Sequence, residues 1–319
     1  MHIVFYYHVR LPVKEYGGIE RFVVWLIKGL SERGHKVTLI GPEGNSVAGC
    51  EKRGGPFAGV RVPTPELLGR YIPEGADIIH FNGDYAFGDY GLPSLTTVRG
   101  CVKGFAGLKD VSFISDAQRK YWGYPDAPFI HNGLDPSEYI FRREKDDYFL
   151  FLSRVDWEVK GVGVAIEAAE RAGARLLIAW NVHRKTFVNS FFRGFLKKKL
   201  SDRIQYVGPV GGELKAMLLA KAKALIFPTQ WCEPFGNVTI EALVSGTPVI
   251  TTHNGAMPEI VEHGRTGFLC DGAAEMAEAI RGIGAIDPAE CRRAAEERFT
   301  YQSMAAAYES LYASVAGRR

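Results

Sequence analysis

Short apolar runs alternate with segments of helical periodicity along almost the whole chain. Ile3–Tyr7 is a continuous apolar run, the mark of a strand buried on both faces. Behind it Ile19, Phe22, Val23, Leu26 and Leu30 recur at helical spacing, and Gly34 closes that stretch. Val37–Ile40, Ile78–Phe81, Leu95–Val98 and Val111–Ile114 continue the series of strands. The turn formers Asn132-Gly133-Leu134-Asp135-Pro136 and the charged run Arg142–Asp147 then interrupt it, which places a domain boundary near residues 135–147. The pattern restarts with strands Tyr148–Leu152, Leu176–Ala179, Ile204–Val207, Ala224–Phe227 and Val249–Thr252. Helices are predicted at Glu213–Ala222 and near Val238–Val244. Phe299–Ala316 is a last helix, with Met304, Tyr308, Leu311 and Tyr312 on one stripe. Such alternation predicts an α/β chain of two Rossmann-like domains with parallel sheets, residues 1–140 and 141–298, followed by the helix of residues 299–319.

The composition agrees with two packed domains. Hydrophobic residues make up 46% of the 319 and charged residues 24%, which excludes a disordered or collagen-like chain. A formal charge of +3 gives no reason to expect a nucleic-acid partner. Cys50, Cys101, Cys232, Cys270 and Cys291 are odd in number, scattered and without a CxxC pair, so a reducing, cytoplasmic setting is expected rather than a disulfide framework or zinc knuckle. The N-terminus reads as a first strand and not a signal peptide, and no stretch approaches the ~18 apolar residues of a membrane helix.

Three segments carry candidate chemistry. In Gln230-Trp231-Cys232-Glu233-Pro234-Phe235-Gly236-Asn237-Val238-Thr239-Ile240-Glu241-Ala242, a loop after a strand leads into a helix beginning near Asn237. Asn237 and Glu241, four apart, share a helix face. Backbone N–H groups at that helix start suit a phosphate, and carboxylates beside them suit sugar hydroxyls. The plain alternative is a helix start with one solvated Glu. In Ser153-Arg154-Val155-Asp156-Trp157-Glu158-Val159-Lys160-Gly161, at another strand's carboxyl end, two cations can neutralise a diphosphate leaving group, or can line a solvated loop. Tyr16-Gly17-Gly18-Ile19 is either a plain turn or a loop letting backbone approach a ligand at a helix start. It lacks the dinucleotide fingerprint.

The first of these segments resembles the E-x7-E signature of retaining glycosyltransferases of family 4, which have the GT-B fold. The following stretches Ala242–Ile250, Gly255–Val261 and Gly264–Leu269 agree in order. The resemblance implies two Rossmann-like domains facing a central cleft, with the C-terminal helix crossing back onto the first. It implies hexosyl transfer from a nucleotide-diphosphate sugar, such as a UDP- or GDP-sugar, to a glycan, lipid-linked or small-molecule acceptor hydroxyl with retention. Carried over, Glu233 faces the donor sugar, Phe235, Gly236 and Asn237 line it, and Glu241 holds the ribose. Arg154 and Lys160 bind the diphosphate, Gly17 and Gly18 cover it, and Gly208 and Val210, in Gly208-Pro209-Val210-Gly211-Gly212-Glu213, lie on the nucleobase side. A plain strand-to-helix turn stays open for that last loop.

The chain departs from the pattern at Thr96-Thr97-Val98-Arg99-Gly100, where the family's T-x-H-G element places a His near the reacting carbon. Arg99 is a permanent cation and cannot act as a neutral imidazole. It is expected at the site, altering sugar or acceptor choice, or else impairing activity. His80 is expected to be a hydrogen-bonded structural residue rather than part of the acceptor site. No Asp-x-Asp triplet occurs, so metal-independent transfer without a cofactor is expected. Arg184, Lys185, Arg193, Lys197, Lys198, Lys199 and Arg203, among Phe187, Phe191, Phe192 and Phe195, form either a solvated face or a peripheral contact with the inner face of a membrane. A non-catalytic nucleotide-sugar-binding protein and a sugar-nucleotide epimerase of the same fold remain alternatives.

Overall fold

The computed structural model describes residues 1–12, 18–83, 88–101, 109–155, 158–180 and 196–318. Two compact units emerge: Met1–Asp135 with Phe299–Arg319, and Pro136–Arg298. The first comprises β1 (His2–Tyr6), α1 (Gly18–Glu32), β2 (Lys36–Pro42), β3 (Glu51–Gly55), α2 (Pro65–Gly69), β4 (Ile78–Asn82), β5 (Ser94–Thr97), β6 (Val111–Ser112) and α3 (Asp116–Trp122). Its strands are parallel, in the order β3-β2-β1-β4-β5-β6. Every residue of β1 and β4 is buried, which is why these strands read as unbroken apolar runs. Val4, Tyr6, Ile79 and Phe81 meet Phe57, Leu68 and Tyr90 in one core cluster. Helix α1 buries Phe22, Val23, Leu26 and Leu30 as its spacing predicts, whereas Ile19 in its first turn stays exposed.

The second unit comprises β7 (Phe149–Leu152), α4 (Val162–Ala172), β8 (Leu176–Ala179), α5 (Lys197–Lys199), β9 (Ile204–Gly208), α6 (Gly212–Lys221), β10 (Leu225–Phe227), α7 (Asn237–Val244), β11 (Val249–Thr251), α8 (Met257–Ile260), β12 (Gly267–Leu269), α9 (Ala273–Gly282) and α10 (Pro288–Arg298). Its order, β12-β11-β10-β7-β8-β9, repeats that of the first sheet. In each unit the chain winds outward one way from a central strand and then returns to wind the other way. The crevices at the switch points lie beyond the carboxyl ends of β1 and β4, and of β7 and β10, where such sheets bind ligands.

The boundary falls after Asp135, five residues earlier than the expected 140. Arg292 Nη2 donates to the Pro136 carbonyl at 3.2 Å and Tyr139 Oη donates to Glu241 at 3.1 Å, tying this stretch to the second unit. Helix α11 (Tyr301–Ala316) belongs to the first unit. There the Leu134 N–H donates to the Phe299 carbonyl and the Tyr301 N–H to the Leu134 carbonyl, each at 2.9 Å. Gly29 lets α1 approach α11, since a Cβ on it would stand 2.6 Å from Cβ of Ala305. Among the described residues no helix is long and apolar enough to cross a membrane.

Candidate functional site

The switch point of the second unit gathers the strongest candidates. Lys160 lies in a short helical turn after β7, and Glu233 in the loop after β10. Their loops are held together by the Gln230 N–H donating to the Val159 carbonyl at 2.7 Å. Lys160 Nζ sits 2.5 Å from Glu233 Oε2, with both side chains about nine-tenths buried. Trp231 Nε1 donates to the same oxygen at 2.8 Å and Thr229 Oγ1 at 3.4 Å. The ammonium also lies 4.9 Å from the Trp231 ring centroid, a cation–π contact. Among the described residues every hydrogen bond to this carboxylate goes to Oε2. Oε1 keeps its acceptor capacity for a donor such as a sugar hydroxyl.

Two glycines make this loop possible. Gly255 has φ +60°, and a Cβ there would stand 2.2 Å from the Glu233 nitrogen. The loop therefore closes on a bare backbone, fixed by the Ala256 N–H donating to the Glu233 carbonyl at 3.0 Å. Gly236, at φ +77°, turns the chain into α7. Asn237 opens that helix as predicted, while the Phe235 side chain is buried in the core, so only its backbone can face a ligand.

Glu241 is buried, which removes the plain reading of a solvated helix-start carboxylate. Its Oε2 pairs with Lys215 Nζ at 2.6 Å and its Oε1 accepts from Tyr139 Oη at 3.1 Å. The sequence reading missed both partners. Lys215 did leave a trace: it stands four residues before Leu219, on the buried side of α6. Gly208 ends β9 and Val210 is buried in the turn leading to α6, the helix that delivers Lys215. Arg154 follows β7 and is exposed.

In the first unit, Arg99 follows β5 and is 7% exposed. Its Nη1 donates to Asn132 Oδ1 and its Nη2 to Asn82 Oδ1, each at 2.6 Å. His80 is fully enclosed, paired through Nδ1 with Tyr312 Oη and through Nε2 with Thr97 Oγ1, each at 2.7 Å. This is the structural role expected of it. Burial, with the Arg99 charge second, holds the imidazole well below its ordinary range, so it is neutral near pH 7. Gly18 opens α1, whereas Tyr16 and Gly17 lie outside the described residues. So do Asp156, Trp157, Arg184, Lys185, Phe187, Phe191, Phe192, Arg193 and Phe195. Lys197, Lys198 and Lys199 are exposed on α5.

The model of the family "glycosyl transferases group 1" matches residues 138–298, just over half of the chain. Glycogen synthase of Mycobacterium tuberculosis is 32% identical over 208 residues, which cover 60% of this chain and 49% of that protein. The chain thus spans about half the length of the curated relatives it matches. The solved structure of AviGT4, a glycosyltransferase involved in avilamycin A biosynthesis, is 26% identical, with a TM-score of 0.78 over 100% of this chain and 98% of that one. Anabaena HepE, solved in complex with UDP-glucose, shares the fold at 17% identity and a TM-score of 0.70, over 98% of this chain and 100% of that one.

Proposed function

Because the chain belongs to the group 1 glycosyl transferases, with the two Rossmann-like units of the GT-B fold, we propose that it moves a hexosyl group from a nucleotide-diphosphate sugar to an acceptor hydroxyl, with retention and without a metal. The observation that carries this reading is the buried Lys160–Glu233 pair at the second unit's switch point, with Glu241 buried on α7 next in the chain.

In this reading the second unit holds the donor. Glu233 Oε1 accepts from a sugar hydroxyl, while Lys160 and Arg154 offset the charge that develops on the diphosphate as the donor's C1–O bond breaks. Lys160 is placed for this only where phosphate shares it with Glu233, so the pair sets the ammonium's position in advance. The acceptor oxygen forms its bond to C1 on the face the diphosphate leaves, and its proton passes to a leaving phosphate oxygen. No enzyme carboxylate need become covalently attached, in contrast to retaining glycosidases. Glu241, fixed by Lys215 and Tyr139, has lone pairs left for the ribose hydroxyls. Gly208 and Val210 line the base side, and Gly18 lies at the start of α1 in the unit that selects the acceptor. Lys197–Lys199 would provide peripheral contact with an anionic membrane if the acceptor is lipid-linked.

A thermal-shift screen of UDP, GDP and ADP with their sugars tests donor binding, because a ligand of the folded state raises Tm. At least one nucleotide should bind, and Glu241→Ala should weaken it about tenfold or more. Unchanged affinity in that variant would remove the ribose role. One observation favours a second reading. Arg99 stands where the resemblance has a His, and a nucleotide-sugar-binding protein without turnover would bind the donor yet release no product.

A further inference from the structure

Arg99 and Asn82 present an electrostatic imbalance at the carboxyl ends of β5 and β4. Four buried side-chain atoms lack a hydrogen-bond partner among the described residues, and two of them are Arg99 Nε and Asn82 Nδ2, on residues already joined by the bond from Nη2 to Oδ1. Both are N–H donors. The remaining contact of the guanidinium goes to a second neutral oxygen, Oδ1 of Asn132. Among the described residues no carboxylate forms an ion pair with Arg99.

Among the described residues the titratable groups that face it do not balance the charge. His80 is neutral, and burial pushes the phenols of Tyr7 and Tyr312 up out of the physiological range. Glu20 stands beyond Tyr7, accepting from its hydroxyl at 3.3 Å. A buried cation whose direct partners among the described residues are neutral amides, with unmet donors beside it, is an unfavourable arrangement unless something anionic completes it.

The geometry of the two unmet donors defines the chemistry. Nε and Nη2 form the side edge of the guanidinium, which takes two acceptor oxygens in parallel. Here one amide oxygen occupies Nη2 alone, and its own NH2 is unmet. An oxyanion placed on that edge would accept from Nε and Nη2 and also from Asn82 Nδ2. Asn82 also ends β4 beside the switch point of the first sheet, the end at which sheets of this topology bind ligands.

We infer that Arg99 and Asn82 form a receptor for an oxyanion, a carboxylate or phosphate monoester, carried by one of the sugar substrates. The sugar identity of the ligand rests on the transfer reading above. Such a receptor makes the Arg a specificity determinant and not a defect.

The test uses the full chain and pairs of probes that differ in one charge. UDP-glucuronate against UDP-glucose reports on the donor. Glucuronate against methyl glucoside, and glucose 6-phosphate against glucose, report on the acceptor and separate carboxylate from phosphate. Calorimetry or ligand-observed NMR should show at least one charged member bound tenfold or more tightly. Arg99→Gln should abolish the preference. Asn82→Asp, which supplies an internal carboxylate to the same edge, should abolish it too while raising Tm. The inference is overturned if charged and neutral members bind within twofold in every pair, or if the preference survives in Asn82→Asp. UDP alone is the control for the transfer reading. Charged sugars that bind through Arg99 while no nucleotide binds would sink that reading and leave the receptor standing.

Discussion

Lys160→Met isolates the interaction on which the donor site depends. The side chains of Lys160 and Glu233 are 10% and 8% exposed and meet at 2.5 Å, so neither is well solvated. Removing the ammonium leaves the carboxylate with Trp231 Nε1 and the longer Thr229 contact. Breaking a buried pair from one side costs about 3–5 kcal/mol, and the surviving Trp231 bond argues for the lower end, about 3 kcal/mol. Glu233→Gln removes the charge and keeps an acceptor, at a cost of about 1–3 kcal/mol. The double variant has no stranded charge, so the single costs should fail to add by about 2 kcal/mol. Urea unfolding followed by far-UV circular dichroism and Trp fluorescence measures all four forms. A Lys160→Met cost under about 1 kcal/mol, with additive singles, would refute the claim that the pair is buried and coupled. Where the variant is fully folded, its turnover should still fall about 10²-fold or more, as expected when a group that stabilises developing charge is lost.

Three further outcomes follow from the same geometry. Burial holds the Lys145 ammonium down to about 8, among acceptors that include the Ala220 carbonyl at 2.8 Å and Thr247 Oγ1 at 2.9 Å. Between that value and the ordinary one near 10.5 the unfolded chain binds more protons, so Lys145 makes stability rise with pH across this window. Lys145→Met should flatten that rise in denaturation curves taken from pH 8 to 10, and an unchanged slope would contradict the assignment. Gly255→Ala should displace the Glu233 loop, costing at least the ~1–2 kcal/mol of a left-handed non-glycine residue and lowering donor affinity in calorimetry. Tyr312→Phe should strip Nδ1 of His80 of its partner and cost ~1–3 kcal/mol in unfolding experiments, with donor affinity retained.

The parallel-sheet framework was legible because its central strands are buried on both faces. Leu176–Ala179 was placed to the residue, and Ile78–Phe81 missed only the final Asn82. Glu51–Gly55 escaped notice. Its sequence EKRGG carries no apolar pattern, because an edge strand paired only with β2 has little face to bury. The placement of Asn237 and Glu241 on helix α7 was also readable, since four-residue spacing fixes a helix face, and Pro234 and Gly236 put Glu233 in the loop before it. Their assigned roles came from resemblance. What local pattern could not supply were long-range partners: Lys160 meets Glu233 across 73 residues and Tyr139 meets Glu241 across 102. The same holds for Arg99, whose departure from the expected His was visible while its two amide partners were not.

Transfer with retention is open to direct measurement. The most direct measurement incubates the purified protein with each nucleotide sugar that stabilises it and a panel of charged and neutral acceptors. The anomeric configuration of any product is then read from its one-bond and vicinal couplings by NMR. The product should be a glycoside with the same configuration as the donor sugar, formed at an undiminished rate in the presence of EDTA and lost in Lys160→Met. An inverted product, isomerised donor without acceptor, or bound donor that is never consumed would contradict transfer with retention.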